Sequence, residues 1–431
     1  MVYRLKPRKK HPWYRHRGYP HFDHPINLKD AEILVKDPSQ VSSHSFYPFI
    51  EFTIESFKVK RTGPEEKLKR IPKLRPIAYA SHVDCHIYSY YSFQLTKVYE
   101  KEIAQRNLQD CVLAFRSLGK SNVEFAFEAF EAIRQFGASE VVALDVTGFF
   151  DNLSHAFLKN AWANLLGQVQ LSADHYAVFK SLTKYSTVNL KQLYALLGVS
   201  MNNRDTAPVR LCSADVFRSK IRGSKLVVKH DLDKGIPQGS PISALLSNLY
   251  MLNYDSVMKA FVDHVGGLYF RYCDDILLIV PPGKKAEAEA LAVSEIAKLL
   301  LEINPKKTDR VDFSVTERGL IASKPLQYPG FLFDGQRILL RSASLARYSE
   351  RMRGGVRLAK ATMKKRNAAR EGRGEVARPL FRKKLNSQYS HLGRRNFITY
   401  GYDAARRMGS QAIRKQLRVL WKRLQTEIEA A

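Results

Sequence analysis

The sequence predicts an α+β protein: a mixed body up to residue 342 and a small, basic, helical lobe over residues 343–431. Strand-like and helix-like stretches alternate through the body. In the lobe Ile413, Leu417, Leu420, Trp421, Leu424 and Ile428 recur at three- and four-residue steps, as on one helix face. Within the body two adjacent acids, Asp274 and Asp275, interrupt the apolar run from Leu268 to Val280, which predicts strand, tight turn, strand.

The elements follow in order. Residues 1–60 read as a basic N-terminal arm leading into the first strand. Its Arg4, Lys6, Arg8, Lys9, Lys10, Arg15 and Arg17 interleave with Trp13, Tyr14 and Tyr19. Charge for phosphate and rings for bases suit RNA, so Trp13 and Tyr14 are expected to stack on bases. Residues 45–80 alternate as strands about a turn at Arg61–Pro64. Residues 84–136 read as largely helical, Val141–Asp145 as a buried strand ending in an acid, and 152–200 as helical again. Residues 205–234 are polar and expected to be strand-like. Pro241–Met258 opens a helix after a Gly/Pro turn. The Tyr272 hairpin follows, then a helix near 285–302. Glu371–Gly374 breaks the helical lobe.

Composition narrows the partners. The 431 residues carry a formal net charge of +29, and 45% are hydrophobic. Residues 341–431 hold 24 Lys/Arg against 6 Asp/Glu, or +18 of that excess. A polyanion, above all nucleic acid, is the expected partner. Lys364, Lys365 and Arg366 form one such cluster. Cys85, Cys111, Cys212 and Cys273 show no paired spacing, which argues against a zinc site or a disulfide framework and fits a reducing cytoplasm. The sequence shows no secretory signal and no apolar run long enough for a membrane span, so no membrane partner is expected.

Four constellations bear chemistry. Asp145 ends an apolar strand, and with Asp274 and Asp275 it supplies three acids from two strands. Two adjacent carboxylates repel unless one is protonated or a cation neutralises them. Mg²⁺ needs a few such oxygens plus substrate phosphates, and two ions can activate a 3′-hydroxyl and stabilise a leaving oxygen. Gly235-Ile-Pro-Gln-Gly-Ser-Pro-Ile242 is the second: Gly239 permits close backbone approach, and Gln238 offers a donor and acceptors to a base or sugar. The third is the basic cluster Lys67, Lys69, Arg70, Lys73 and Arg75, suited to phosphates. The fourth is Asn304-Pro-Lys-Lys-Thr308, where a lysine could protonate a leaving pyrophosphate.

In this order the blocks resemble the reverse transcriptases. Arg75-Pro-Ile77 with Asp84 looks like the first fingers motif. Leu113–Arg116 with Gly119-Lys-Ser121 looks like a segment that bacterial members carry before the palm. Asp145–Asp151, Pro237-Gln-Gly239 and Tyr272-Cys-Asp-Asp275 resemble the three palm motifs. Lys307-Thr308 resembles the lysine motif, and Tyr328-Pro-Gly-Phe331 the primer-grip turn. The resemblance implies a right-handed fingers–palm–thumb polymerase, with fingers and palm over 61–342 and a helical thumb over 343–431. It implies that Asp145, its neighbour Val146, Asp274 and Asp275 form the site of two Mg²⁺ ions, with Mn²⁺ as a substitute. It makes Lys307 catalytic and Phe150 the ring that excludes a ribose 2′-hydroxyl. Gln238 and Gly239 would meet the incoming dNTP, Arg75 its triphosphate, with Lys69 or Lys73 beside it. Tyr272, Tyr328 and Gly330 would contact nucleic acid.

Within the family, residues 343–431 would be a thumb with no room for an RNase H or integrase. There is no cysteine-paired endonuclease. Val146-Thr-Gly148 lies inside the first palm motif and so is not the thumb triplet of retron enzymes, whose Asn-Ala-x-x-His signature is also missing. The chain therefore looks most like the second type of bacterial defence-associated reverse transcriptase. That implies copying a structured non-coding RNA into cDNA in antiphage defence. The rival readings are a retron-like or intron-derived enzyme and a non-catalytic RNA-binding scaffold. Three convergent carboxylates argue against the scaffold.

Overall fold

The computed structural model describes residues 11–60, 69–202 and 208–430, without the side chains of 58–60, 69 and 70. The expected turn at Arg61–Pro64, Lys67, the side chains of Lys69 and Arg70, and Arg4 to Lys10 lie outside the described residues. The chain forms two compact units. The first comprises Met1–Phe115, Val146–Phe261 and Ala290–Asn304, and the second Arg116–Asp145, Val262–Glu289 and Pro305–Ala431.

In the first unit a long antiparallel hairpin joins β1 (Phe49–Lys60) to β2 (Lys69–Tyr79), with Ile50 opposite Tyr79. The sheet continues from β1 to β4 (Ser186–Asn189) and β5 (Val227–Lys229). Helices α1 (Leu28–Lys36), α2 (Pro38–Ser43), α3 (His82–Gln105), α5 (Phe149–Asn152), α6 (His155–Leu165), α7 (Ala173–Thr183), α8 (Leu190–Leu196), α9 (Ala214–Val216) and α10 (Ser243–Tyr250) complete it. Phe22, Ile50, Val188, Leu193, Phe217 and Ile221 share one core cluster.

Several expectations change here. The helix expected over 84–136 is two helices, because Asn107 and Phe115 adopt left-handed backbone that no helix continues. The strand β4 interrupts the helical stretch 152–200 by pairing with β1. Residues 214–222 are helical, not strand-like: α9 runs into a π-helical segment, Phe217–Arg222, that buries Phe217 and Ile221 four residues apart. The helix expected from Pro241 to Met258 breaks at Met251, where α11 (Leu252–Val265) follows α10.

The N-terminal arm is corrected as well. Trp13 is only 8% exposed and packs edge-on against His86 and Tyr90. Tyr14 stacks on His86, with centroids 4.8 Å apart, and donates to the Ile26 carbonyl. Asp23 accepts from the backbone N–H of His82 and of Val83, at 3.0 and 2.9 Å, tying the arm to the start of α3. Burial has claimed the Trp13 ring, and the half-buried Tyr14 ring already stacks on His86.

The second unit is built on a five-stranded antiparallel sheet, β6-β7-β3-β8-β9. Its strands are β3 (Ser139–Asp145), β6 (Leu268–Tyr272), β7 (Asp275–Val280), β8 (Asp309–Thr316) and β9 (Gly319–Ala322). β3 is central and Ile276–Val280 lines it, so both read as unbroken apolar runs rather than alternating ones. Against the sheet packs α4 (Asn122–Phe136), opened by a Ser121/Glu124 capping box. A smaller sheet, β10 (Leu326–Tyr328), β11 (Phe331–Phe333) and β12 (Ile338–Leu340), joins the same core, where Phe130 stacks on Phe333 at 4.9 Å. α12 (Lys285–Lys298) and α11 each carry residues of both units.

The basic C-terminal helices are α13 (Ser342–Glu371), α14 (Arg382–Tyr389), α15 (Phe397–Arg407) and α16 (Gln411–Glu429). α13 ends at the expected break. On α16 Ile413, Leu417, Leu420, Leu424 and Ile428 are buried, as their spacing predicts, and each contributes about 1.5–3 kcal/mol. A Cβ on Gly401 would meet the Leu417 methyls at 2.9 Å, so α15 and α16 cross closely there. The four cysteines are all free.

Candidate active site

The three acids converge in the second unit. Asp145, the last residue of β3, lies directly opposite Asp275, the first residue of β7. Tyr272 pairs with Asp275 across a two-residue turn, which puts Asp274 at the tip of the same hairpin. The turn is strained. Cys273 is a non-glycine residue at φ +62°, a region costly for most side chains. The fully buried Arg271 spans it by donating from Nη1 to the Cys273 carbonyl at 3.0 Å.

Electrostatics follow from that convergence. Burial, then the charges of Asp274 and Asp145, push the Asp275 carboxyl up to about 7, while Lys307 and Arg341 pull it down less strongly. Lys307, just before β8, ion-pairs with Asp145 at 2.5 Å. Arg341 ends the Leu340 connection into α13 and has a buried Nε without a hydrogen-bond partner. Tyr272 packs on Phe125, and Tyr328 is buried. Gly330 turns at φ +93° in the Pro329 loop, whose carbonyl accepts from Asn122 at 3.4 Å. Asn122 also donates to the Tyr400 hydroxyl of α15.

The other expected site residues lie in the first unit. Gly148, at φ +52°, turns the chain into α5, where Phe149 is buried and Phe150 is half-buried. The Phe150 carbonyl accepts from Ile236, which docks the Pro237-Gln-Gly239 turn on α5. Gln238 donates from its side chain to Asp151 at 3.1 Å, and its carbonyl accepts from Ala78 of β2 at 2.8 Å. Gly239 is at φ +123°, and a Cβ there would lie 2.5 Å from the Ala78 carbonyl. Two motifs far apart in sequence thus meet the strand that carries Arg75. Arg75 and Lys73 are exposed on it, whereas Lys69 contributes only described backbone.

Residues 69–333 match the family described as "Reverse transcriptase (RNA-dependent DNA polymerase)". The chain belongs to the reverse transcriptases. The mixed helix-and-sheet fold above is the reverse-transcriptase fold, and the family's activity is RNA-directed DNA polymerisation. No curated protein matches this reverse transcriptase. Among solved structures it is similar to truncated apo telomerase from Candida tropicalis, at TM-score 0.40 and 11% identity, covering 67% of this chain and 55% of that one. Full apo telomerase from the same organism gives TM-score 0.39 and 13% identity over 70% and 51% of the two chains. Telomerase from Candida albicans, in complex with a fragment of telomeric RNA, gives 0.39 and 12% over 94% and 66%. The reverse transcriptase spans about half to two thirds of the length of these telomerases.

Among the described residues no group of three or more His, Cys, Asp or Glu side chains is closed into a ready metal site. The donor chemistry nevertheless fits a divalent cation. Asp145 lies opposite Asp275 with Asp274 at the adjoining turn, burial and then the two neighbouring acids push the Asp275 carboxyl up, and an ammonium already neutralises Asp145. Val146, counted with the metal site in sequence, is buried and bridges to Ile303 in the first unit. Arg271, Asn122 and Arg341 escaped sequence reading. Arg271 was legible only as a charge inside an apolar strand, and nothing local distinguished the other two.

Proposed function

We propose that this reverse transcriptase copies a dedicated, structured non-coding RNA into cDNA in antiphage defence, with Asp145, Asp274 and Asp275 as its catalytic acids. The observation that carries the site assignment is the pairing of Asp145 with Asp275, with Asp274 at the adjoining hairpin tip and Asp275 held up to about 7. Two Mg²⁺ ions held by those acids would activate the primer 3′-hydroxyl and take up charge on the leaving pyrophosphate.

The chain's own residues do the rest. Lys307, whose ammonium pairs with Asp145, would give a proton to the pyrophosphate. Gln238, fixed by Asp151 and by the backbone of β2, orients the incoming dNTP. Arg75 takes the triphosphate, with Lys73 beside it, and the Phe150 ring excludes a ribose 2′-hydroxyl. The Pro329–Gly330 loop, held by Asn122, guides the primer. Lys364, Lys365 and Arg366 are exposed on α13 and suited to a nucleic-acid backbone.

The RNA partner rests on the net charge of +29, most of it in the C-terminal helices, and the defence role on the motif resemblance. The decisive experiment has two arms. Mg²⁺-dependent extension of a primed RNA by the full chain, abolished by Asp274→Ala/Asp275→Ala with RNA binding retained, tests the acids. Undiminished extension by that variant overturns them. Sequencing the RNA and DNA that co-purify, with plaque counts on cells with and without the gene, tests the partner and the role. Random RNA and unchanged plaque counts would reject both.

A further inference from the structure

The C-terminal helices hold a second feature. α13, α14 and the segment 374–381 between them enclose a groove of about 840 Å³. Leu358, Met363, Leu380 and Phe381 line its apolar floor. Leu358 and Phe381 are 69% and 67% exposed, although both are large and apolar. The groove is built rather than incidental. Asn367 binds the backbone of Arg378 twice, through Nδ2 to the carbonyl and Oδ1 from the N–H, both at 2.9 Å, which ties the outer wall to α13. At its base a Cβ on Gly355 would lie 2.3 Å from the Tyr389 hydroxyl, so glycine lets α14 seat against α13.

The rim defines the ligand. Arg366, Arg370, Arg378 and Lys384 line the groove, and no carboxylate does. Arg370 pairs with Glu375 at 3.5 Å and Arg378 also acts on that carboxyl, whereas among the described residues Arg366 and Lys384 form no ion pair. Unpaired cations around an exposed ring ask for a partner that is anionic and flat at once. A nucleic-acid duplex offers phosphates but hides its base faces, which would leave the apolar floor wet. An unpaired strand offers both. The Gln388 amide, also lining the groove, supplies the donor and acceptor that a ribose 2′-hydroxyl can use.

We infer that this groove binds an unpaired segment of RNA, with a base against Phe381 and Leu358 and its phosphates on Arg366, Arg378 and Lys384. The choice of RNA over DNA rests on the reading that the template is RNA. The stacking and phosphate contacts do not.

The test is binding by the full chain, without dNTPs, to a short unstructured RNA, the same strand made abasic, the matching single-stranded DNA and an RNA duplex. Phe381→Ala should weaken binding of the unstructured RNA about 5- to 150-fold, since one stacked base is worth roughly 1–3 kcal/mol. It should leave the abasic strand and the duplex unchanged, and thermal stability too, because the ring is exposed. Arg378→Gln should reduce the log–log salt slope for the single strand by about 0.7. Unchanged affinity in Phe381→Ala, or an equal loss on the abasic strand, overturns the groove as a base site. An equal affinity and equal loss on DNA overturns the RNA assignment. Nucleotide incorporation on a preformed primer–template is measured alongside. Its absence in the unsubstituted chain would sink the polymerase reading and leave the binding result standing.

Discussion

Asp275 keeps its proton up to about pH 7 because burial and two neighbouring carboxylates outweigh Lys307 and Arg341. Its ordinary value is 3.8, so between those values the folded chain binds more protons than the unfolded one. Stability therefore falls as pH rises through that window, and the loss is complete above about pH 7. Asp275→Asn removes that cost. It should raise the melting temperature of the metal-free protein at pH 8, leave it unchanged at pH 4, and abolish polymerisation. A melting temperature unchanged at pH 8 would contradict the strained charge cluster. Metal ligands must be deprotonated, so Mg²⁺ affinity should fall by roughly tenfold per pH unit below about 7, read by calorimetry. Arg341→Met removes a cation that favours the ionised form and should move this limb to higher pH. Phe150→Ala should raise the incorporation of ribonucleotides relative to dNTPs on one template. An unchanged ratio with activity retained would make Phe150 a packing residue.

Turns and helix crossings make their own demands. Gly239→Ala places a methyl 2.5 Å from the Ala78 carbonyl and a side chain at φ +123°. The Gln238 turn must then leave β2, so KM for dNTP should rise well before the protein loses stability. Titrating dNTP against the variant and following its thermal melt separates the two. On α16, Leu417→Ala opens a hole against Gly401 and should cost about 2–5 kcal/mol. Denaturant unfolding reads it directly. The N-terminal arm behaves as an element of the core. Trp13→Ala should destabilise the protein by about 3–5 kcal/mol and leave discrimination between RNAs intact. Its sequence, basic and aromatic, suggested the opposite, because a ring that stacks on bases and a ring that stacks on His86 look alike in one dimension.

Across the whole molecule the excess charge should govern affinity for nucleic acid. Neutralising Lys364, Lys365 and Arg366 should flatten the salt dependence of single-stranded RNA binding by roughly 2 to 3 log–log units. An unchanged slope would make that cluster a solvated face. What the sequence determined by itself was chemistry carried by short, local patterns. Acids at the ends of apolar runs, the α16 stripe and the charge gradient needed no partner to be read, because period and composition are properties of one segment. Where partners decide, it could not reach. β4 is a strand because β1 accepts it, and Phe217 and Ile221 are helical because a core takes them four residues apart. The pairing of Asp145 with Asp275, the docking of Gln238 on β2 and the groove around Phe381 also belong to the tertiary structure alone. Each depends on residues far apart in the chain, and on the local cost that their burial and close approach impose.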